Sequence, residues 1–250
     1  MESILQYLNL PSSCYFNSNI PKKMFYDNSL LNATDKRIFT DTIKKITLKN
    51  QLNEQTINIR SYKDSIRFYE EIAFITILLQ EDNKFKRIAQ IVQQAIPYPV
   101  VLIFECEGKS LINVCHKRIN QADSSKNTVE EHHYTDWLEK MALRLNEKQF
   151  LASLDVPFLS HANMYNFYSD IVDRVILFNA SKYTKDFNSI RNMEANQANQ
   201  ILHKIEQVDN DILSLRSKIK NEVHFNKRMQ MNVEIKKLEK EKSEFLEELG

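Results

Sequence analysis

The chain has 250 residues, 42% apolar and 27% charged, with a formal net charge of +1, a balance that suits one globular core with an appendage. Its only glycines are Gly108 and Gly250, so no glycine-rich phosphate loop of the GxGxxG or GxxxxGK kind can be assembled. Cys14, Cys106 and Cys115 contain no CxxC pair, which argues against a disulfide framework or zinc ribbon and for a reduced, cytoplasmic setting.

Residues 1–33 read as an N-terminal arm, a short helix and then irregular chain punctuated by Pro11 and Pro21. Its start has neither a positive leader nor a long apolar stretch, so neither secretion nor membrane insertion is expected. A helix is expected from Thr34 as N-cap, with Ile38, Phe39, Ile43 and Ile46 along one face. Segment 56–61 alternates Ile57 and Ile59 as a strand would, and the run IAFITILL reads as a central strand buried on both faces. Asn83 is the expected cap of a helix carrying Phe85, Ile88, Ile91, Val92 and Ala95, which Pro97 stops. After IPYP, the run VVLIFEC is a second buried strand, EGK its turn and SLINVCHKR its hairpin partner, with a further strand at 127–134. Helices are expected at Trp137–Leu145 and Met164–Asn179. The body, 34–185, is therefore α+β: a small mixed or antiparallel sheet with flanking helices.

From 186 onward the pattern changes. Ile201, Ile205, Val208, Ile212, Leu215 and Ile219 follow at alternating spacings of 4 and 3, the seam of a helix that must pack on a second seam. Met231, Ile235, Leu238, Phe245 and Leu249 supply it, with Lys242 at the skipped position. The phase breaks between Ile219 and Met231, so the expected form is an antiparallel hairpin, a coiled coil over 186–250 joined near Glu222–Asn226.

Candidate chemistry is sparse. Glu105, Glu107 and Lys109 set acid-x-Lys triplets beside a buried strand, as restriction-type nucleases do to hold Mg²⁺ and orient water. Against that, Glu107 and Lys109 flank the Gly108 turn, and a strand follows where that fold places a helix. His132, His133 and His161 with Cys106 or Cys115 are the sole zinc set, but adjacent strand residues face opposite ways; the same holds for Cys115 and His116 as a nucleophile and base. No catalytic residue, metal or cofactor is expected. The basic positions Lys22, Lys23, Lys36, Arg37, Lys117 and Arg118 are the better candidates, as a phosphate-binding surface if they converge, with Tyr15, Phe16, Phe25 and Tyr26 near to stack on bases.

The succession IPKKMFYD, IPYPVVLIFE, HKRIN and NEVHFNKRMQMNVEIKKLEKE resembles an uncharacterised prokaryotic family, a domain of unknown function encoded beside helicases and DNA methyltransferases of restriction-type or anti-phage loci. The resemblance implies an accessory subunit in bacterial genome defence and indicates no particular reaction. Its expected partner is a larger helicase, nuclease or methyltransferase, with DNA and a second copy of the chain as further candidates. Lys22, Lys23, Lys117 and Arg118 fall in the motifs it shares.

Overall fold

A computed structural model of the protein describes residues 4–27, 31–121, 123 and 127–250. The chain divides into two compact units, Met1–Val175 and Ile176–Gly250.

The first unit is a mixed α+β body. In chain order it contains β1 (Tyr15–Asn19), α1 (Lys23–Asp27), α2 (Ala33–Thr42), β2 (Ile43–Leu52), α3 (Glu54–Ile57), β3 (Tyr62–Lys63), β4 (Phe68–Tyr69), β5 (Ile72–Leu79), α4 (Phe85–Ala95), β6 (Val100–Cys106), β7 (Lys109–Ile119), β8 (Asn127–Tyr134), β9 (Leu138–Glu139) and α5 (Leu145–Ser153). Seven strands form one sheet in the order β1-β2-β5-β6-β7-β8, with β9 also on β7, while β3 and β4 pair separately. Among the described residues only β5 and β6 run parallel, and α4 is the crossover that parallel neighbours require. The apolar core gathers Phe39, Ile43 and Ile46 with the β5, β6 and α4 residues Ile75, Ile88, Val92, Leu102 and Phe104. Buried Asp35 of α2 receives Arg87 of α4 through two bonds, at 2.8 and 2.7 Å.

Several elements differ from expectation, each for a local reason. The helix of 34–46 ends at Thr42, and its N-cap is Asn32, whose side chain accepts from Asp35 N–H. Ile43 and Ile46 belong to β2, where bulges between Ile43 and Lys45 and between Leu48 and Asn50 shift its register on β5. A bulge turns the two-residue spacing of buried side chains into three, which imitates a helix and leaves Lys44 and Lys45 both exposed. Segment 56–61 is not a strand: Asn53 caps α3 with a reciprocal Thr56 bond, and left-handed Asn58 (φ 57°) brings Ile57 and Ile59 both inward. The helix expected over Trp137–Leu145 is absent from 137–144, since Leu138–Glu139 joins the sheet beside β7 and helix begins only at Leu145. Asn83 caps nothing, because its amide donates to Glu81 and the α4 N-cap is Lys84. Within the arm, Tyr15–Asn19 is an edge strand on β2.

The second unit contains the end of α6 (Met164–Ala180), which begins in the first, then α7 (Phe187–Ile190), α8 (Ala195–Asn221) and α9 (Phe225–Leu249). At 1.5 Å per residue the last two helices are each about 40 Å long. Ile201, Ile205, Val208 and Ile212 of α8 are buried, as is Ile235 of α9. Val208, Ile212 and Ile235 form one cluster, covered by Leu215, Ile219, Leu238 and Phe245, while Met231 is half-buried. Lys242, the charge within the α9 seam, donates to both carboxylate oxygens of Asp209 at 2.6 and 2.7 Å.

Candidate functional site

Two of the shared motifs meet in the sheet. The backbone of IPYP, residues 96–99, has a special need: its two prolines offer no N–H, and its four carbonyls leave the end of α4 before β6 begins. Every carbonyl finds a donor. The Lys117 ammonium donates to Ile96 O at 2.8 Å and Tyr98 O at 2.7 Å, the Asn127 amide donates to Pro97 O, and Ala73 N–H donates to Pro99 O at 3.0 Å. Lys117 comes from HKRIN on β7, so one motif is the clamp of the other.

The clamp is needed where β6 and β7 part. Their pairing runs from Cys106 and Lys109 only as far as Leu102 and Asn113. Beyond it, side chains stand in for the missing strand partner. The buried Tyr168 hydroxyl accepts from Cys115 N–H (3.3 Å) and lies 2.9 Å from Val100 O and 3.0 Å from Cys115 O, one of which takes its proton. The Tyr69 hydroxyl accepts from Lys117 N–H (3.1 Å) and sits 2.9 Å from His116 Nδ1. Gln93 of α4 donates to Val100 O and to Asn113 Oδ1. Arg67 Nη1 donates to Lys117 O while Nη2 reaches both oxygens of Glu130.

Burial sets the protonation of this centre. It pulls the Lys117 ammonium down to about 7, and among the described residues no carboxylate forms an ion pair with it. Burial, then the Arg67 charge, take His116 down to about 3, so its imidazole is neutral beside the Tyr69 hydroxyl, which also lies 3.3 Å from Lys117 O. Burial pushes the Cys115 thiol up to about 12 and raises Tyr69. A neutral imidazole with a protonated thiol on the other face of the strand is a packing arrangement, without a nucleophile facing its base.

A family model described as a domain of unknown function, DUF4391, matches residues 8–241, from the N-terminal turn into α9. The chain belongs to the DUF4391 family. Comparison with curated proteins and with solved structures gives no match.

In this DUF4391 chain the remaining candidates separate. Glu105 is tied to Lys140 at 2.9 Å, and Glu107 sits in the β6–β7 turn with φ 46° beside Gly108 at φ 83°. Among the described residues no three His, Cys, Asp or Glu side chains are placed to hold a metal. His161 Nε2 is at Val156 O, and His132 stacks on Tyr134. Lys22 donates to Thr40 O at 3.1 Å, which carries it to the end of α2, one turn from Lys36. Lys23, Lys36 and Arg37 are exposed on α1 and α2. Lys117 does not join them: it is 3% exposed and its ammonium is held inside the clamp, which corrects the expectation of a phosphate contact there. Arg118 turns toward Glu130 at 4.0 Å. Of the aromatics, Tyr15 and Phe16 are exposed, Phe25 packs on Phe39 at 5.6 Å, and the Tyr26 side chain lies outside the described residues.

The pattern reading of the helices missed one feature. Outside the seam, α9 exposes Phe225, Met229 and Val233, with Val223 just before it. Spacings of 4 and 4 set the three on one face of the helix, a signal present in the sequence but overshadowed by the heptads.

Proposed function

We propose that this protein is a non-enzymatic interaction subunit of a bacterial anti-phage or restriction-type DNA-defence complex, one that engages a larger helicase, nuclease or methyltransferase. The observation that carries the reading is the apolar stripe Phe225, Met229, Val233, left in water along a helix whose other apolar face is already buried on α8. An unpartnered stripe at this spacing is the form in which a helix lies in a partner's groove. The defence setting is the one that the resemblance of the motifs implies.

In this reading the second unit is an antiparallel hairpin with coiled-coil packing. Its support is that the cross-helix pairs Asp209–Lys242 and Arg216–Glu239 advance along α8 while retreating along α9. Exposed Lys23, Lys36 and Arg37, with Lys22 beside them, provide a face for DNA phosphates.

Affinity capture of the full chain with the products of its adjacent genes, followed by light scattering of the eluate, tests the reading. A defined heteromeric complex is expected. A chain that stays strictly monomeric and captures none of those products overturns it.

A further inference from the structure

The free face of α9 lies in a sharply polarised part of the chain. Residues 217–237, the connection and the adjoining helix ends, hold six bases and two acids, a net of +4. The rest of the two helices, 194–216 and 238–250, holds nine acids and four bases, a net of −5. The six bases, Lys218, Lys220, Lys227, Arg228, Lys236 and Lys237, are all exposed, and none is in an ion pair among the described residues. The exposed Phe225, Met229 and Val233 span about 12 Å at helical rise in the middle of this positive end.

Three occupants fit poorly. A second copy laid stripe on stripe would oppose two ends of charge +4, and like charges across an interface are costly. A second copy laid antiparallel would set the stripe on the acidic stretches, where Leu213 is the sole large apolar side chain exposed. A lipid surface asks for a broad apolar face, whereas this stripe is one residue wide because the opposite side of α9 is committed to α8. Duplex DNA would be met by the lysines but gives Met229 and Val233 nothing apolar to cover.

We infer that the connected end of α8 and α9 docks into a groove of a different protein, with an apolar floor that takes Phe225, Met229 and Val233 and a rim of aspartates and glutamates that meets the surrounding lysines. This rests on the interaction-subunit reading and adds the chemistry of the partner's site. The apolar anchors supply affinity, and the rim supplies orientation and rate of encounter.

Site-specific photo-crosslinking decides it. The full chain carrying a benzophenone amino acid at Met229 is expressed in its native cells, irradiated, and the adduct is mapped by mass spectrometry. The expected result is one heterologous protein, crosslinked within a segment where apolar residues are bordered by Asp and Glu. The yield should fall about tenfold in Lys227→Glu with Arg228→Glu and again in Phe225→Asp, with unchanged helical circular dichroism. Adducts on a second copy, on lipid or on nucleic acid, an acid-free partner segment, a yield indifferent to charge reversal, or no adduct each overturn the inference. If Phe225→Asp still co-purifies with a partner, the docking site is wrong and the interaction subunit stands; if no partner is captured by any form, both fall.

Discussion

Replacing Lys117 by Met tests the clamp through its pH dependence. The ammonium is buried and serves two carbonyls, so the variant leaves Ile96 O and Tyr98 O without donors, at a cost of about 1–3 kcal/mol each. Against this, the variant is relieved of burying an amine whose pKa falls from 10.5 to about 7. Because the folded value lies below the unfolded one, the unfolded chain binds the extra proton between them, and wild-type stability rises with pH across that window. Between pH 6 and 9 the lysine is neutral in the fold but charged in the unfolded chain over about two pH units. At about 1.4 kcal/mol per unit this adds roughly 3 kcal/mol to the wild type. Met has no such term, so the stability of the variant relative to wild type should fall by roughly 3 kcal/mol between pH 6 and pH 9. Urea denaturation at half-unit steps gives both curves. Parallel curves across the window would falsify the assignment of a buried, titrating lysine.

Other perturbations report on separate contacts. Tyr168→Phe removes the hydroxyl that bridges Val100 and Cys115 in the gap between β6 and β7, and urea unfolding should show a loss of about 1–3 kcal/mol. Arg87→Met strips buried Asp35 of the guanidinium bonds that chiefly hold its carboxyl below the ordinary range. In the wild type that contribution is lost only as pH falls toward the depressed folded value; in the variant acid unfolding should begin at a higher midpoint, and coincident acid midpoints would refute it. Lys22→Glu with Lys23→Glu and Lys36→Glu should weaken binding to a random DNA duplex and flatten its salt dependence. An unaltered fluorescence-anisotropy titration would dismiss that face.

What sequence pattern conveys depends on whether one period governs a segment. β5 and β6 are readable as unbroken apolar runs and β7 and α4 as single periods, each ended by a Pro or a turn. β2 is not, because its two bulges rewrite the spacing of Ile43 and Ile46, and α3 is not, because one left-handed Asn58 makes a tight turn look like alternation. At the candidate sites the residue types were visible and their surroundings were not. Lys117 and Arg118 are adjacent basic residues in HKRIN, yet the strand sends the first into the sheet and the second to solvent. Nothing in the spacing of Tyr69, Asn127 and Tyr168 announces that they complete the backbone of a parted sheet; the prolines of IPYP, which leave carbonyls without neighbouring N–H groups, were the nearest clue.

Lys242 gives the long helices a memory of where they belong. In the antiparallel arrangement we propose, a slide by one heptad would bring its ammonium opposite either Arg216 or Leu202 instead of Asp209. One alternative repels it and the other strands it against hydrocarbon, so the seam that gives up an apolar residue at 242 excludes the neighbouring alignments. A single polar position within an apolar seam is the device by which paired helices select one register at some expense of stability. Lys242→Leu should therefore raise the melting temperature of the helical unit while letting the alignment of α9 along α8 wander.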